Sequence, residues 1–175
     1  MNYAEIKPVD IANCIGVGVS LYVSGCRNHC EGCFNPETWD FNYGEIFTVD
    51  TITEILEYCD KEYISTLTIL GGDPMEPENR HDVLRLCIAF RNKFKQNKKL
   101  WLYTGYSYEN LIRQDDAYDI ISQLDVIVDG KYEKDKADLN LRLKGSANQR
   151  IIDVNKTLLL NGDIVEYKFF DWGGV

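Results

Sequence analysis

The chain has 175 residues, 45% of them hydrophobic and 27% charged. That is enough for one domain with a real core, and it excludes disordered, collagen-like and low-complexity classes. Its 28 acidic and 19 basic residues leave a net charge of −9, a field that repels phosphate backbones and argues against a nucleic-acid partner.

In chain order, the opening residues 1–10 (MNYAEIKPVD) lack the basic and apolar regions of an export signal. No run approaches the ~18 apolar residues of a membrane span, so the expectation is a cytoplasmic protein with no membrane partner. Residues 15–23 (IGVGVSLYV) form a β-rich run, interrupted by Gly16 and Gly18, that leads straight into a cysteine-bearing loop. Residues 48–61 follow a cap at Thr48 or Asp50 and place Ile52, Ile55, Leu56 and Cys59 at i, i+3, i+4 and i+7, the pattern of an amphipathic helix. Residues 65–70 (STLTIL) predict a short buried strand ending on Gly71-Gly72-Asp73-Pro74. A longer helix is expected over 77–95, with Val83, Leu84, Cys87, Phe90 and Phe94 on one face.

Residues 99–104 (KLWLYT) predict a strand stopped by Gly105, and residues 107–123 one broken or two short helices split around Asp115-Asp116. Residues 124–129 (LDVIVD) predict a further strand closing on Gly130, and the charged, weakly periodic residues 131–149 read as mostly loop. Near the end, Leu158-Leu159-Leu160 and residues 163–170 (DIVEYKFF) flank Asn161-Gly162, which reads as a hairpin turn. Strand alternating with helix implies a parallel sheet with functional loops after the carboxyl ends of its strands. A closed eightfold barrel needs ~250 residues. The expected architecture is therefore α/β: a short, incomplete, open β/α barrel with a mostly parallel sheet, in one domain over residues 1–175.

Six cysteines stand at positions 14, 26, 30, 33, 59 and 87, and without an export signal they are expected to be reduced. Cys26, Cys30 and Cys33 crowd together as C-x3-C-x2-C, a spacing that reads first as metal ligation. Three thiolates are one short of the four that normally close an iron–sulfur cluster, and an open position is where a small chelating molecule binds. A structural zinc completed by His29 or Cys14 is the alternative, and the loop alone leaves both open. Cys59 and Cys87 lie on apolar helix faces as small hydrophobes, and Cys14 is taken as structural. His29 reads as a loop residue. With only His29 and His81 in the chain, no acid–base triad is expected.

The cysteine spacing followed by Phe34 is similar to the signature of the radical S-adenosylmethionine superfamily. The resemblance implies that Cys26, Cys30 and Cys33 bind three irons of a [4Fe–4S] cluster. The fourth iron then chelates the amino and carboxylate groups of S-adenosylmethionine, with Gly32, Cys33 and Phe34 beside the cofactor. Phenylalanine here keeps the ring of the usual tyrosine and loses its hydroxyl. Gly71-Gly72-Asp73-Pro74 resembles the GGEP-type motif of the same superfamily, with Asp73 a shorter arm than glutamate. Two glycines let backbone approach a ligand, and a carboxylate suits an ammonium group; the plain alternative is a strand-ending turn.

Residues 102–106 (LYTGY), 128–132 (VDGKY) and 144–150 (KGSANQR) resemble blocks of the anaerobic ribonucleoside-triphosphate reductase-activating proteins. That resemblance runs from about residue 11 to 152 and departs from the family at Val19, where an arginine is frequent. It implies Thr104, Asp129, Gly130 and Lys131 near the cofactor. It also implies Lys144, Ser146, Asn148 and Arg150 as candidate partner-docking residues. Each block also has a bland reading as a strand-ending turn or a solvated loop.

The implied activity is generation of a glycyl radical on a partner, the anaerobic ribonucleoside-triphosphate reductase. A low-potential donor such as flavodoxin or ferredoxin reduces the cluster, S-adenosylmethionine is cleaved to methionine and a 5′-deoxyadenosyl radical, and that radical takes a hydrogen from a glycine Cα. The cofactor carries the hard chemistry, so no catalytic side chain beyond the cluster and cofactor is expected. The alternatives are another short radical enzyme acting on a small molecule, such as a deazapurine-forming synthase, a pyruvate formate-lyase activase, or a non-catalytic zinc or iron–sulfur module.

Overall fold

The computed structural model describes residues 1–169. Its helices begin where the local chemistry allows. Thr48 and Thr51 form a reciprocal capping box, each hydroxyl accepting the other's backbone N–H, and this opens α1 (Val49–Cys59). Pro77 starts α2 (Pro77–Phe94) at a first-turn position where no N–H is needed. The segment expected as one broken or two short helices is two, α3 (Tyr108–Leu111) and α4 (Asp115–Ile121), with Asp115 and Asp116 opening the second.

The strands are β1 (Asn2–Asp10), β2 (Gly18–Val23), β3 (Glu45–Ile46), β4 (Thr66–Gly71), β5 (Lys99–Tyr103), β6 (Val126–Asp129) and β7 (Arg150–Asp153). They make one seven-stranded sheet in the order β3-β1-β2-β4-β5-β6-β7. The pairings β2–β4, β4–β5 and β5–β6 are parallel, whereas β1–β2, β1–β3 and β6–β7 are antiparallel. The mostly parallel sheet expected from the sequence is thus corrected to a mixed α/β fold with a partly parallel sheet. Only the central strands are joined by the helical crossovers that parallel pairing requires.

β1 escaped the sequence reading because Pro8 and scattered charges mask it. The proline falls within the register shift between Lys7 and Asp10, where no ladder hydrogen bond is lost. The hairpin expected at Asn161-Gly162 is also corrected. Asp153 accepts the Lys156 N–H and caps α5 (Val154–Leu159). Asn161 (φ 57°) and Gly162 (φ 94°) then end that helix in a Schellman turn, with Gly162 N–H on Thr157 O at 2.9 Å and Asn161 N–H on Leu158 O at 3.3 Å. The chain returns along β7 through Asp153 N–H to Val165 O and Tyr167 N–H to Ile151 O. Phe170, the last residue of the expected second strand, lies outside the described residues.

β2 is buried along its whole length, as expected of a strand covered on both faces. Val19, Leu21 and Val23 join Leu67, Ile69, Leu100, Leu102 and Ile127 in the core shared with Ile55 of α1, Phe90 of α2 and Ile120 of α4. Each such side chain contributes about 1.5–3 kcal/mol on burial. The opposite face carries a smaller cluster around Trp101, Val126, Val128 and Ile151, packed by Ile15, Leu143 and Tyr167. Because β2, β4, β5 and β6 run in parallel, the segments that follow their carboxyl ends emerge together on one side. Among the described residues no helix is long and apolar enough to cross a membrane, and all six cysteines are free thiols.

Candidate functional site

The cysteine loop leaves β2 through Gly25, whose φ of 97° and contact with Phe41 leave no room for a side chain; a Cβ would stand 2.2 Å from the ring. Gly25 N–H donates to Thr38 O at 2.8 Å and Cys26 N–H to Trp39 O at 3.2 Å, so the loop is pinned by backbone before the first cysteine. Cys26 is buried, and Cys30 and Cys33 are half-buried in a turn closed by Cys33 N–H on Cys30 O. Gly32, at φ 73°, lies under Lys134, which bridges to Glu31 at 2.7 Å. His29 stacks on Trp39, with ring centroids 4.6 Å apart.

All three cysteines line one cleft of about 630 Å3, a volume that suits a small-molecule ligand. Phe34, Gly71, Gly72, Asp73, Thr104 and Gly130 line it too. Burial pushes the Cys26 thiol up to about 11. Burial also raises Cys30, partly offset by the Lys131 charge and the Tyr132 N–H. Ligation at these sulfurs therefore displaces protons. Among the described residues no three His, Cys, Asp or Glu side chains gather tightly enough to hold one metal ion.

The second wall is the Gly71-Gly72-Asp73 turn after β4. A Cβ on Gly72 would fall 2.7 Å from Gly25 O and 2.8 Å from Thr38 O, so this turn and the cysteine loop touch backbone to backbone. Gly72 N–H donates to Val23 O and Asp73 N–H to Gly25 O. The Asp73 carboxylate is buried and takes four donors. Thr104 Oγ1 (2.8 Å) and Met75 N–H (3.0 Å) donate to Oδ1, while Gly105 N–H (2.9 Å) and Asn28 Nδ2 (3.1 Å) donate to Oδ2. Burial nonetheless holds this carboxyl up at about 6. Asp73 therefore ties three loops together.

The later candidates divide. Gly130 (φ 100°) and Lys144 line the cleft, and Lys131 is exposed beside Cys30. Asp129 is outside the lining; its buried carboxylate accepts Tyr108 N–H at 2.8 Å and the Arg150 guanidinium at 2.5 Å. Arg150 also makes a bidentate pair with Glu109 at 2.9 Å. Ser146 is buried with its hydroxyl on Glu133 N–H, Asn148 donates to Lys131 O, and Lys144 donates to Gln149 O. Gln149 accepts from Gly145 and Ser146 N–H and donates to Gly130 O. Residues 144–150 thus staple their own loop against the end of β6. Cys14, Cys59 and Cys87 are buried and are not in the cleft lining, Cys14 lying behind the lining residues Asn13 and Tyr103.

Three site residues were not visible in the sequence. Glu76, buried before α2, accepts both the backbone N–H of Arg27 (2.8 Å) and its guanidinium (2.6 Å), and Glu78 takes the rest of that guanidinium. Asn79 donates to Ser24 O and Asp73 O. Asn28 reaches from between two cysteines to Asp73. No local signal marks them, because the contacts that tie them to the cysteine loop or tie that loop to Asp73 span 45–55 residues.

Comparison with known proteins bears on the same segments. The family described as a 4Fe-4S single cluster domain matches residues 12–152, the span that holds every cleft wall. An anaerobic ribonucleoside-triphosphate reductase-activating protein of Enterobacteria phage T4 is 42% identical over 151 residues, covering 86% of this chain and 93% of that relative. Proteins of the same description from Pasteurella multocida (38% over 156 residues; 86% of this chain, 96% of the relative) and Escherichia coli K12 (36% over 151 residues; 85% and 96%) are similar over the same extent.

Proposed function

The chain belongs to the anaerobic ribonucleoside-triphosphate reductase-activating proteins, and we propose that it generates a glycyl radical on that reductase by reductive cleavage of S-adenosylmethionine. The observation that carries this reading is the convergence of Cys26, Cys30 and Cys33 with the turns after β4, β5 and β6 in one cleft. The three cysteines hold a [4Fe–4S] cluster with one iron open, and the whole chain acts as one catalytic domain. In this reading the sheet is an open β/α barrel of the radical S-adenosylmethionine type, working in a reducing cytoplasm.

Cys26, Cys30 and Cys33 would hold the cluster, which, reduced by a low-potential donor such as flavodoxin or ferredoxin, would supply the electron for cleaving S-adenosylmethionine with release of methionine and for taking the glycine hydrogen. The chain's own residues bind and orient. Gly71 and Gly72 bring backbone to the cofactor, Asp73 and Thr104 brace that shelf, and Gly130 with Lys131 closes the side next to Cys30. Phe34, 72% exposed, offers a ring to the adenine at the mouth of the cleft. Lys144, Ser146, Asn148 and Arg150, each engaged within the chain, serve docking by shaping the loop that carries Leu139, which is exposed and lines the cleft. Anaerobic reconstitution, reduction and addition of S-adenosylmethionine test the reading. It expects 5′-deoxyadenosine from the wild type and none from Cys30→Ala; a fully loaded four-iron protein that makes none overturns it.

A further inference from the structure

Asn28 sits between two cysteines on the cleft wall. Its Nδ2 donates to Asp73 Oδ2, and Gly105 N–H donates to the same oxygen. The amide also lies flat against Gly105, so that a Cβ there would fall 2.3 Å from Nδ2. Apart from Gly25 O, which takes the Asp73 N–H, Asn28 is the cysteine loop's hydrogen-bonded link to Asp73. Its neighbour Arg27 is committed to Glu76 and Glu78. The position calls for a neutral donor. An aspartate here would set a second carboxylate against the buried Asp73, and a longer arm would not fit over Gly105.

We propose that Asn28 is a positioning residue that sets the distance between the cluster-bearing loop and the shelf of Asp73 and Gly105. A molecule bridging an open iron and that shelf then meets both without distorting either. The inference rests on the function proposed above and adds to it the residue that registers one wall against the other. Asn28 also donates, from backbone and side chain, to the Cys26 sulfur; in this scheme it touches neither the cofactor nor the glycine, and acts by holding that sulfur and its loop against the shelf.

The test is equilibrium binding of S-adenosylmethionine to the reconstituted, oxidised protein, where no cleavage occurs, together with the change the cofactor causes in the reduced cluster's electron paramagnetic resonance spectrum. Wild type, Asn28→Ala, Gly105→Ala and the double variant are compared per loaded cluster. Asn28→Ala is expected to load four irons and to bind about tenfold more weakly, the scale of one hydrogen bond to a charged group. Gly105→Ala, by displacing the amide, is expected to weaken binding too, and the double variant is expected to be no worse than the weaker single. Wild-type affinity in Asn28→Ala, or losses that add in the double variant, overturns the proposal. Should Asn28→Ala load iron poorly, Gly105→Ala with its intact cysteine loop carries the test, and unaltered affinity there overturns it as well. A wild type that fails to bind the cofactor would instead remove the underlying function, which keeps the two failures apart.

Discussion

The Asp73 carboxylate accepts the Thr104 hydroxyl at 2.8 Å, and this contact joins the turn after β4 to the turn after β5 beneath the cleft. Asp73, expected from the sequence beside the cofactor, lines the cleft and also braces these strand ends. Its arm, shorter than glutamate, meets donors from the two neighbouring loops.

Asp73→Ala leaves four donors without their acceptor. At ~1–3 kcal/mol for a stranded buried donor, less where cleft water can substitute, the variant is expected to lose roughly 2–4 kcal/mol of unfolding free energy. A urea midpoint close to that of the wild type would contradict the brace.

The same residue gives a pH signature. Its folded value of about 6 stands above the ordinary 3.8, so between those values the folded chain holds a proton that the unfolded chain has released. This group's contribution to stability therefore falls as pH rises from 3.8 to about 6. Glu109, held down at about 2 by Arg150, acts in the opposite sense, stabilising above its unfolded value and losing that contribution as pH drops toward 2. The wild-type advantage over Asp73→Ala, measured by urea unfolding of the metal-free chain, is expected to shrink from pH 4 to pH 6. A constant difference would contradict it.

Gly72→Ala places a methyl against two carbonyl oxygens, Gly25 O and Thr38 O, at under 3 Å. Neither is a flexible side-chain end, so the two turns must separate. A loss of about 1–3 kcal/mol is expected from overpacking, together with weaker iron retention. Full cluster loading at wild-type stability would show that the turns are not in contact.

Much of this was legible in the sequence where the signal is local. The C-x3-C-x2-C spacing, the glycines ending β4 and β6, and the periodicity of α1 and α2 each declare themselves within a few residues. β1 did not, because Pro8 and its charges hide a strand whose partner is set by β2. Asn161-Gly162 misled because the same dipeptide serves a hairpin and a helix end, and the choice is made by Asp153 capping α5. Asp129 and Arg150, read separately as cofactor contact and docking residue, proved to be partners. Asn28, Glu76 and Asn79 take meaning only from contacts across the fold.

Five of the six cysteines should divide cleanly. Alanine at Cys26, Cys30 or Cys33 is expected to abolish loading of a four-iron cluster. Cys59→Ala and Cys87→Ala, which empty small buried sites in the core, are expected to load fully and lose about 1–2 kcal/mol. Iron and sulfide analysis of the reconstituted variants decides it. Loss of the cluster in Cys59→Ala or Cys87→Ala would contradict the assignment.

The central claim is the reaction on the partner. The reduced, cluster-loaded protein would be mixed with an anaerobic ribonucleoside-triphosphate reductase and S-adenosylmethionine, and the frozen mixture read by electron paramagnetic resonance. The account predicts a glycyl-radical signal on the reductase that is absent when Cys30→Ala replaces the wild type. A loaded, reduced protein that cleaves S-adenosylmethionine but leaves the reductase without that signal would contradict it.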